Sequence, residues 1–290
     1  MIAHASLLIV VLVISETFAR LTFRPKVNAA SLPTTWDWRT RSQETGTAFT
    51  SVLDQGGCGG CWAFSTVDAA GAWMQMATNG TSEAVKAPMS PQYQLDCDKR
   101  NISYYGMDVT QAGCEGGLIL TSYRELAWEI GTLENQCQPF TGGQHSKCTN
   151  KCDSTAANAK NYKKWDNEAN YYRPINFWLF DYDADVDYRS AGKANKAHNQ
   201  NDDYYWPLVK TSQLADVFKE IIYNCGPSSV AFKSCDSFQE YKSGSGNNIN
   251  IYKENINEMI DPDRYGCGGH AVTIYGWGVK SGVEYWIVKN

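Results

Sequence analysis

Basic charge is scarce in this sequence: 26 Lys and Arg stand against 31 Asp and Glu, a formal net charge of -5 at pH 7. That balance argues against nucleic acid or an anionic membrane surface as the main partner. Long apolar runs are missing too. The longest, Leu7 to Ile14, falls far below the ~20 residues a helix needs to span a bilayer, so no membrane span is expected in the mature chain. There is no internal repeat. No second Cys-x-x-Cys at ligand spacing accompanies Cys58-Gly59-Gly60-Cys61, so neither a metal nor another cofactor is expected. What is present is ordinary globular composition, 43% hydrophobic and 20% charged over 290 residues. It excludes wholesale disorder and allows one large domain or two fused lobes.

After the N-terminal apolar run come polar Ser15 and Glu16, then small residues at Thr17 and Ala19. This is the layout of a secretory leader over residues 1–19. Ten cysteines fit the oxidising route that a leader implies. Asn79-Gly80-Thr81 and Asn101-Ile102-Ser103 have the form of glycan acceptors. The expected location is extracellular or a lysosome- or vacuole-like compartment.

Along the chain, Pro33 with Trp36 and Trp38 suggests an extended strand leading into the fold. From Cys61 to Ala77, apolar residues recur at three- and four-residue steps and Asn79-Gly80 supplies a stop, which predicts a buried helix. Helical patterns recur over 118–130 and 214–226. From His270 onward the period changes to that of an antiparallel hairpin around a glycine-bearing turn. Helices first and strands last imply an α+β chain with two unlike lobes. The polar, Tyr- and Asn-rich stretch at about 155–205 reads as a surface insertion.

Cys61 falls at the first turn of the predicted helix, where unpaired N–H groups and the helix dipole favour a thiolate. The glycines at 56, 57, 59 and 60 permit close approach of backbone to a ligand, and Gln55 lies near enough for its amide to bind a developing oxyanion. If the hairpin turn is centred near Lys280, paired residue numbers sum to about 560, which sets His270 opposite Asn290. An amide accepting from one imidazole nitrogen leaves the other to exchange a proton with a thiol.

The blocks "QGGCGGCWAFS", "SPQYQLDCD", "GCEGG", "CGPSSVAF", "GGHAVTIYGWG" and "YWIVKN" occur in this order over most of 32–290. In order and content they resemble the papain-like cysteine proteases, and "GGHA", "YKSG" and the run from Cys137 through Cys148 to Cys152 are similar to the cathepsin B-like branch. The resemblance implies an α+β peptidase domain over 32–290, with a helical left lobe, an antiparallel barrel-like right lobe and a catalytic cleft between. It implies Cys61 as nucleophile, His270 as general base and acid, Asn290 as orienter and Gln55 as oxyanion donor. Gly116 and Gly117, with Gly60, would meet the substrate backbone. It also implies disulfides Cys58–Cys114, Cys97–Cys148 and Cys137–Cys152, protein or peptide substrates, cystatin-type inhibitors and a monomer.

Three departures stand out. The paired histidines of the branch's occluding loop are reduced to His145 in "QPFTGGQHSK", so endopeptidase rather than dipeptide-trimming activity is expected, with His145 itself an exposed loop residue. Residues 20–31 are short for an inhibitory propeptide and are expected to be its remnant. Family members continue past the orienting Asn with a Ser-Trp, so the domain is expected to be C-terminally incomplete. Nine cysteines besides the nucleophile are an odd number, and Cys225, Cys235 and Cys267 are left without an assigned partner. Two other readings stay open: a catalytically silent binding protein on the same scaffold, and a redox pair or half zinc site at Cys58 and Cys61.

Overall fold

The structure is a computed structural model, which describes residues 8–13, 32–41, 52–77, 88–104, 107–128, 130–149, 176–180, 214–244 and 250–290. Most of the insertion expected at 155–205, and the Asn79 sequon, lie outside these residues.

Helix α1, Cys61–Ala77, runs through the middle of the chain's first half. Its apolar residues point several ways, and Trp62, Ala63, Val67, Ala69 and Ala70 are all buried. Around it pack Leu95 from helix α2, Pro91–Cys97, and Ile119, Tyr123 and Leu126 from helix α3, Ile119–Trp128. α2 starts cleanly because Ser90 caps it by accepting from Tyr93 N–H while Pro91 fills the first turn. The helices expected at 61–77 and 118–130 are therefore both present, the second two residues shorter at its C-terminal end and one at its start.

The second core belongs to an antiparallel sheet. Its described strands run β2 (Trp36–Asp37), β7 (Gly268–Lys280), β6 (Ser228–Ser234), β1 (Leu8–Val13) and β5 (Asn176–Phe180), with β8 (Val283–Lys289) on the other edge of β7. Two further strands, β3 (Asn101–Tyr104) and β4 (Met107–Thr110), form a separate hairpin. Leu8–Val13 lies inside the expected leader; its apolar, largely β-branched run pairs with both β5 and β6. Helix α4, Leu214–Cys225, lays Val217, Phe218, Ile221 and Ile222 onto the sheet beside Val230, Val272 and Ile274. The segment leading into the fold is tied down here by tryptophans. Trp38 Nε1 donates to Ile222 O and Trp277 Nε1 to Pro33 O, while Trp36 stacks on Trp277. Two short helices, α5 (Asp236–Glu240) and α6 (Ile256–Ile260), lie after β6, and single 3-10 turns occupy Trp38–Thr40 and Gly113–Glu115.

The two cores meet along α1. Its helix-core face looks at α2 and α3, and the opposite face lies on β6 and β7, with Ala271 of β7 reaching into the helical core. Among the described residues no helix is long and apolar enough to cross a membrane.

Two buried carboxyls are shifted upward by desolvation. Burial pushes Asp98 up to about 6, although Gln111 Nε2 donates to it, and pushes Glu134 up to about 8. Each therefore holds its proton in the fold at pH values where the unfolded chain has released it, from about 4 to 6 for Asp98 and from about 4.5 to 8 for Glu134. The folded state binds more protons across that window, so this part of stability is lost as pH rises. The thermal midpoint of the chain should be higher at pH 5 than at pH 8, and Asp98→Asn with Glu134→Gln should flatten the difference; a midpoint rising from pH 5 to pH 8 would contradict the assignment.

Candidate active site

Cys61 opens α1, and the preceding Gly60 carbonyl accepts the N–H groups of Ala63 and Phe64. The loop before it is fixed from the side. Cys58 is bonded to Cys114, 56 residues on, a closure worth about 4 kcal/mol by chain entropy. Gly59 N–H donates to Cys114 O at 2.8 Å, and a Cβ on Gly59 would sit 2.4 Å from that oxygen, so the contact requires glycine. Because Cys58 is committed to Cys114, the Cys61 thiol is free. This arrangement does not suit a redox pair or a shared metal at Cys58 and Cys61.

Trp62, next to the thiol, donates from Nε1 to Gly113 O and carries the segment 113–117 on its ring. A Cβ on Gly117 would come within 2.7 Å of that ring. The carbonyl of Gly116 is taken by Ala112 N–H at 2.9 Å, whereas the N–H and C=O of Gly117 have no intramolecular partner among the described residues. Of the two glycines, Gly117 is the one with backbone groups available to an extended ligand.

His270 lies near the start of β7. The hairpin differs from the expected register: the turn falls at Ser281-Gly282, both with positive φ, so Lys280 pairs with Val283 and, past a bulge at Tyr275, Thr273 pairs with Lys289. A two-residue turn of this kind matches strand twist better than one centred on Lys280. Extended by one residue, the ladder sets Asn290 opposite Val272, not His270. The two side chains still meet diagonally on one face, with His270 Nε2 2.6 Å from Asn290 Oδ1. A carbonyl oxygen only accepts, so the proton is on Nε2 and Nδ1 is left as the basic nitrogen. Phe232 and Phe238 pack their edges near the imidazole, at 5.8 and 5.9 Å between ring centres. Gln55 donates from Nε2 to Cys58 O at 3.1 Å, which fixes the amide while leaving its second N–H. A cavity of about 610 Å³ is lined by Leu53, Gln55, Phe64, Phe238, His270 and Asn290, among others.

Helix α1, which carries Cys61, is joined to β7, which carries His270. Ser65, one turn beyond Cys61, donates to Val272 O at 2.8 Å, and its own carbonyl accepts from Ser229 Oγ and Thr273 Oγ1. At the start of α1, burial pushes the Cys61 thiol up, against the lowering effect of backbone N–H groups of Ala271, Trp62 and Cys61 itself. The sequence led us to expect easier ionisation from the helix start; desolvation outweighs it.

The loop 138–148 is held against α2. Gln92 Oε1 accepts from Thr141 N and Oγ1, and Gln92 Nε2 donates to Gly143 O at 2.7 Å. Buried Asp96 accepts from His145 N at 2.6 Å, from His145 Nδ1 at 2.8 Å and from Gln138 Nε2 at 3.1 Å. His145 Nε2 meets Thr141 Oγ1 at 3.2 Å, and Cys148 is bonded to Cys97. Gln144 Oε1 accepts from Cys114 N–H, which couples this loop to the glycine segment. Although 53% exposed, His145 is thus a tether rather than a loose loop residue. Gln92 and Asp96 stand four apart in the sequence, one helical face, and that spacing was the available signal.

Cys137 is disulfide-bonded, and its expected partner Cys152 lies outside the described residues. Cys235 is bonded to Cys267, a pair that sequence reasoning did not assign. The β6–β7 ladder explains it: Ser234 pairs with Gly268, so the next residues outward, Cys235 and Cys267, face one another. The side chain of Cys225 is outside the described set.

A family model described as papain family cysteine protease matches residues 32–176 and 180–290. Cathepsin B-like cysteine proteinase 3 of Caenorhabditis elegans is 25% identical over 95% of the chain and 62% of its own length. Cathepsin B-like CP3 of Giardia intestinalis is 27% identical over 92% of the chain and 67% of its own length. The chain thus spans somewhat under two thirds of the first of these relatives. The procathepsin B S9 structure from Trypanosoma congolense superposes with a TM-score of 0.54 at 21% identity, over 94% of this chain and 72% of that one. It shares the two-lobe α+β fold.

If burial holds the Cys61 thiol up and His270 supplies its counter-charge, His270→Ala should slow alkylation of Cys61 by iodoacetamide at pH 7 by at least about tenfold. The rate should recover only as pH climbs beyond the ordinary thiol range. An alkylation profile unchanged by the substitution would refute the pairing.

Proposed function

The chain belongs to the papain family of cysteine proteases, and from that premise we propose that it is a cysteine endopeptidase acting on protein or peptide substrates through Cys61 and His270. The single observation that carries the reading is the 2.6 Å contact between His270 Nε2 and Asn290 Oδ1, which leaves Nδ1 as the nitrogen available to a thiol.

In the proposed reaction, Cys61 and His270 react as thiolate and imidazolium. Cys61 Sγ attacks the scissile carbonyl carbon, and the second amide N–H of Gln55 with the Cys61 N–H binds the oxyanion that forms. The C–N bond breaks as His270 Nδ1–H protonates the leaving amine, which gives a thioester on Cys61. His270 Nδ1 then takes a proton from water, the hydroxide adds to the thioester, and the acid product departs with return of the thiolate. Gly117 pairs its backbone with the substrate strand, while Gly116 and Gly60 allow the close approach.

Internal cleavage is favoured because both ring nitrogens of His145 are engaged, by Asp96 and Thr141, so this loop offers no free imidazole to bind a substrate's terminal carboxylate. The disulfides support a secretory or lysosome-like location. A cystatin-type inhibitor and a monomeric state belong to the same reading.

Digestion of an unfolded protein, with products mapped by mass spectrometry, should give internal cleavages, and Cys61→Ala should lower the rate by more than about a thousandfold. Successive C-terminal dipeptides as the main product would contradict the endopeptidase reading. Unchanged cleavage by Cys61→Ala would remove Cys61 as nucleophile.

A further inference from the structure

Asn290 is exposed, and the β7–β8 ladder stops one residue before it, at Thr273 and Lys289. Something else must hold its amide on His270. Lys289 turns its ammonium to Asp68 of α1, where Nζ and Oδ1 form a close ion pair. The other carboxylate oxygen, Oδ2, accepts from Tyr275 OH at 2.9 Å. The pair is largely withdrawn from water, at 12% side-chain exposure for Asp68 and 16% for Lys289. Charge-assisted bonds in such a setting are strong and directional.

Three features converge on Asp68. It follows Cys61 by seven residues and Ser65 by three, so it shares the helix face that presents the thiol. Tyr275 is the residue at which the β7–β8 register shifts, and a bulge re-aims a side chain that a regular strand would place elsewhere. Lys289 is one peptide, about 3.8 Å between Cα atoms, from Asn290. A carboxylate on the nucleophile's helix is therefore connected to the strand carrying His270 and to the residue before its orienter.

We propose that Asp68 is a positioning residue: its bonds to Lys289 and Tyr275 fix the end of β8 relative to α1, so that Asn290 stays on His270 Nε2 and Nδ1 stays directed toward Cys61. This rests on the peptidase reading for its catalytic consequence, but not for its structural one.

The test uses the full chain with Asp68→Asn, Lys289→Met, Asn290→Ala and the Asp68→Asn/Asn290→Ala double variant. Active sites are counted with an irreversible thiol probe. Asp68→Asn should lower kcat about tenfold with KM changed less than about twofold, and Lys289→Met should do the same if Asp68→Asn does not fold. The double variant should be no slower than Asn290→Ala alone, because Asp68 acts through Asn290. Losses that multiply in the double variant, or a kcat unaltered in both Asp68→Asn and Lys289→Met, would overturn the proposal. In parallel, 15N spectra of the imidazoles, taken at a pH where His270 is neutral, should show it as the Nε2–H tautomer in the parent chain and as a mixture in Asp68→Asn or Lys289→Met. A His270 spectrum unchanged by both substitutions overturns the positioning role even if the parent chain proves to have no peptidase activity, an outcome that would count separately against the proposed function.

Discussion

One face of α1 lies on β7, and the remainder of the site is arranged around that contact. Cys61 and His270 come from opposite sides of the seam, so their separation is only as well defined as the seam itself. It is closed by polar groups rather than by apolar packing alone: Ser65 bonds Val272, and its carbonyl accepts from Ser229 and Thr273. Ser229 also meets the buried Tyr123 hydroxyl of α3 at 2.8 Å, which links the seam to the helical core. Each such group would cost about 1–3 kcal/mol if left buried and unpaired, so sliding α1 along β7 would strand several at once. An apolar interface of the same area would tolerate a shift more easily, because dispersion and burial carry no direction.

The glycine segment is built on the same helix by a different device. Trp62 supports the segment 113–117 from below, the Cys58–Cys114 bond fixes it from the side, and Gln144 reaches Cys114 from the loop 138–148. That loop is in turn bound to Gln92 and Asp96 of α2. The thiol and the glycine segment thus share one rigid frame, whereas His270 belongs to the sheet. Catalysis of the proposed kind would then depend on the seam for acid–base geometry and on the disulfide frame for substrate alignment.

Much of this was legible in the sequence, for identifiable reasons. Helix α1 shows clear apolar periodicity, and the hairpin shows clear alternation, so Cys61 and His270 could be placed on their elements before any coordinates. The hairpin register could not, because it depends on which two residues take positive φ; Ser281 is not a usual choice, and the turn sits further along than Lys280 suggests. The error did not separate His270 from Asn290, because His270 and Val272 lie on one face of the strand. The Cys235–Cys267 bond escaped because it follows from the β6–β7 ladder, a pairing between segments separated by a long connection. The rise in the Cys61 pKa was missed since burial around a helix start is a tertiary property, and periodicity says nothing of it. Asp68 had one weak cue, its spacing from Cys61, and nothing in the sequence connects it to Lys289.

The central claim is that Cys61, and no other cysteine, is the reactive nucleophile beside His270. The most direct measurement is the intact and fragment mass of the full chain after reaction with a peptidyl vinyl sulfone at mildly acidic pH. The account predicts one adduct per chain, located on Cys61, with the Cys58–Cys114 bond intact. Absence of any adduct, or recovery of Cys61 in a disulfide with Cys58, would contradict it.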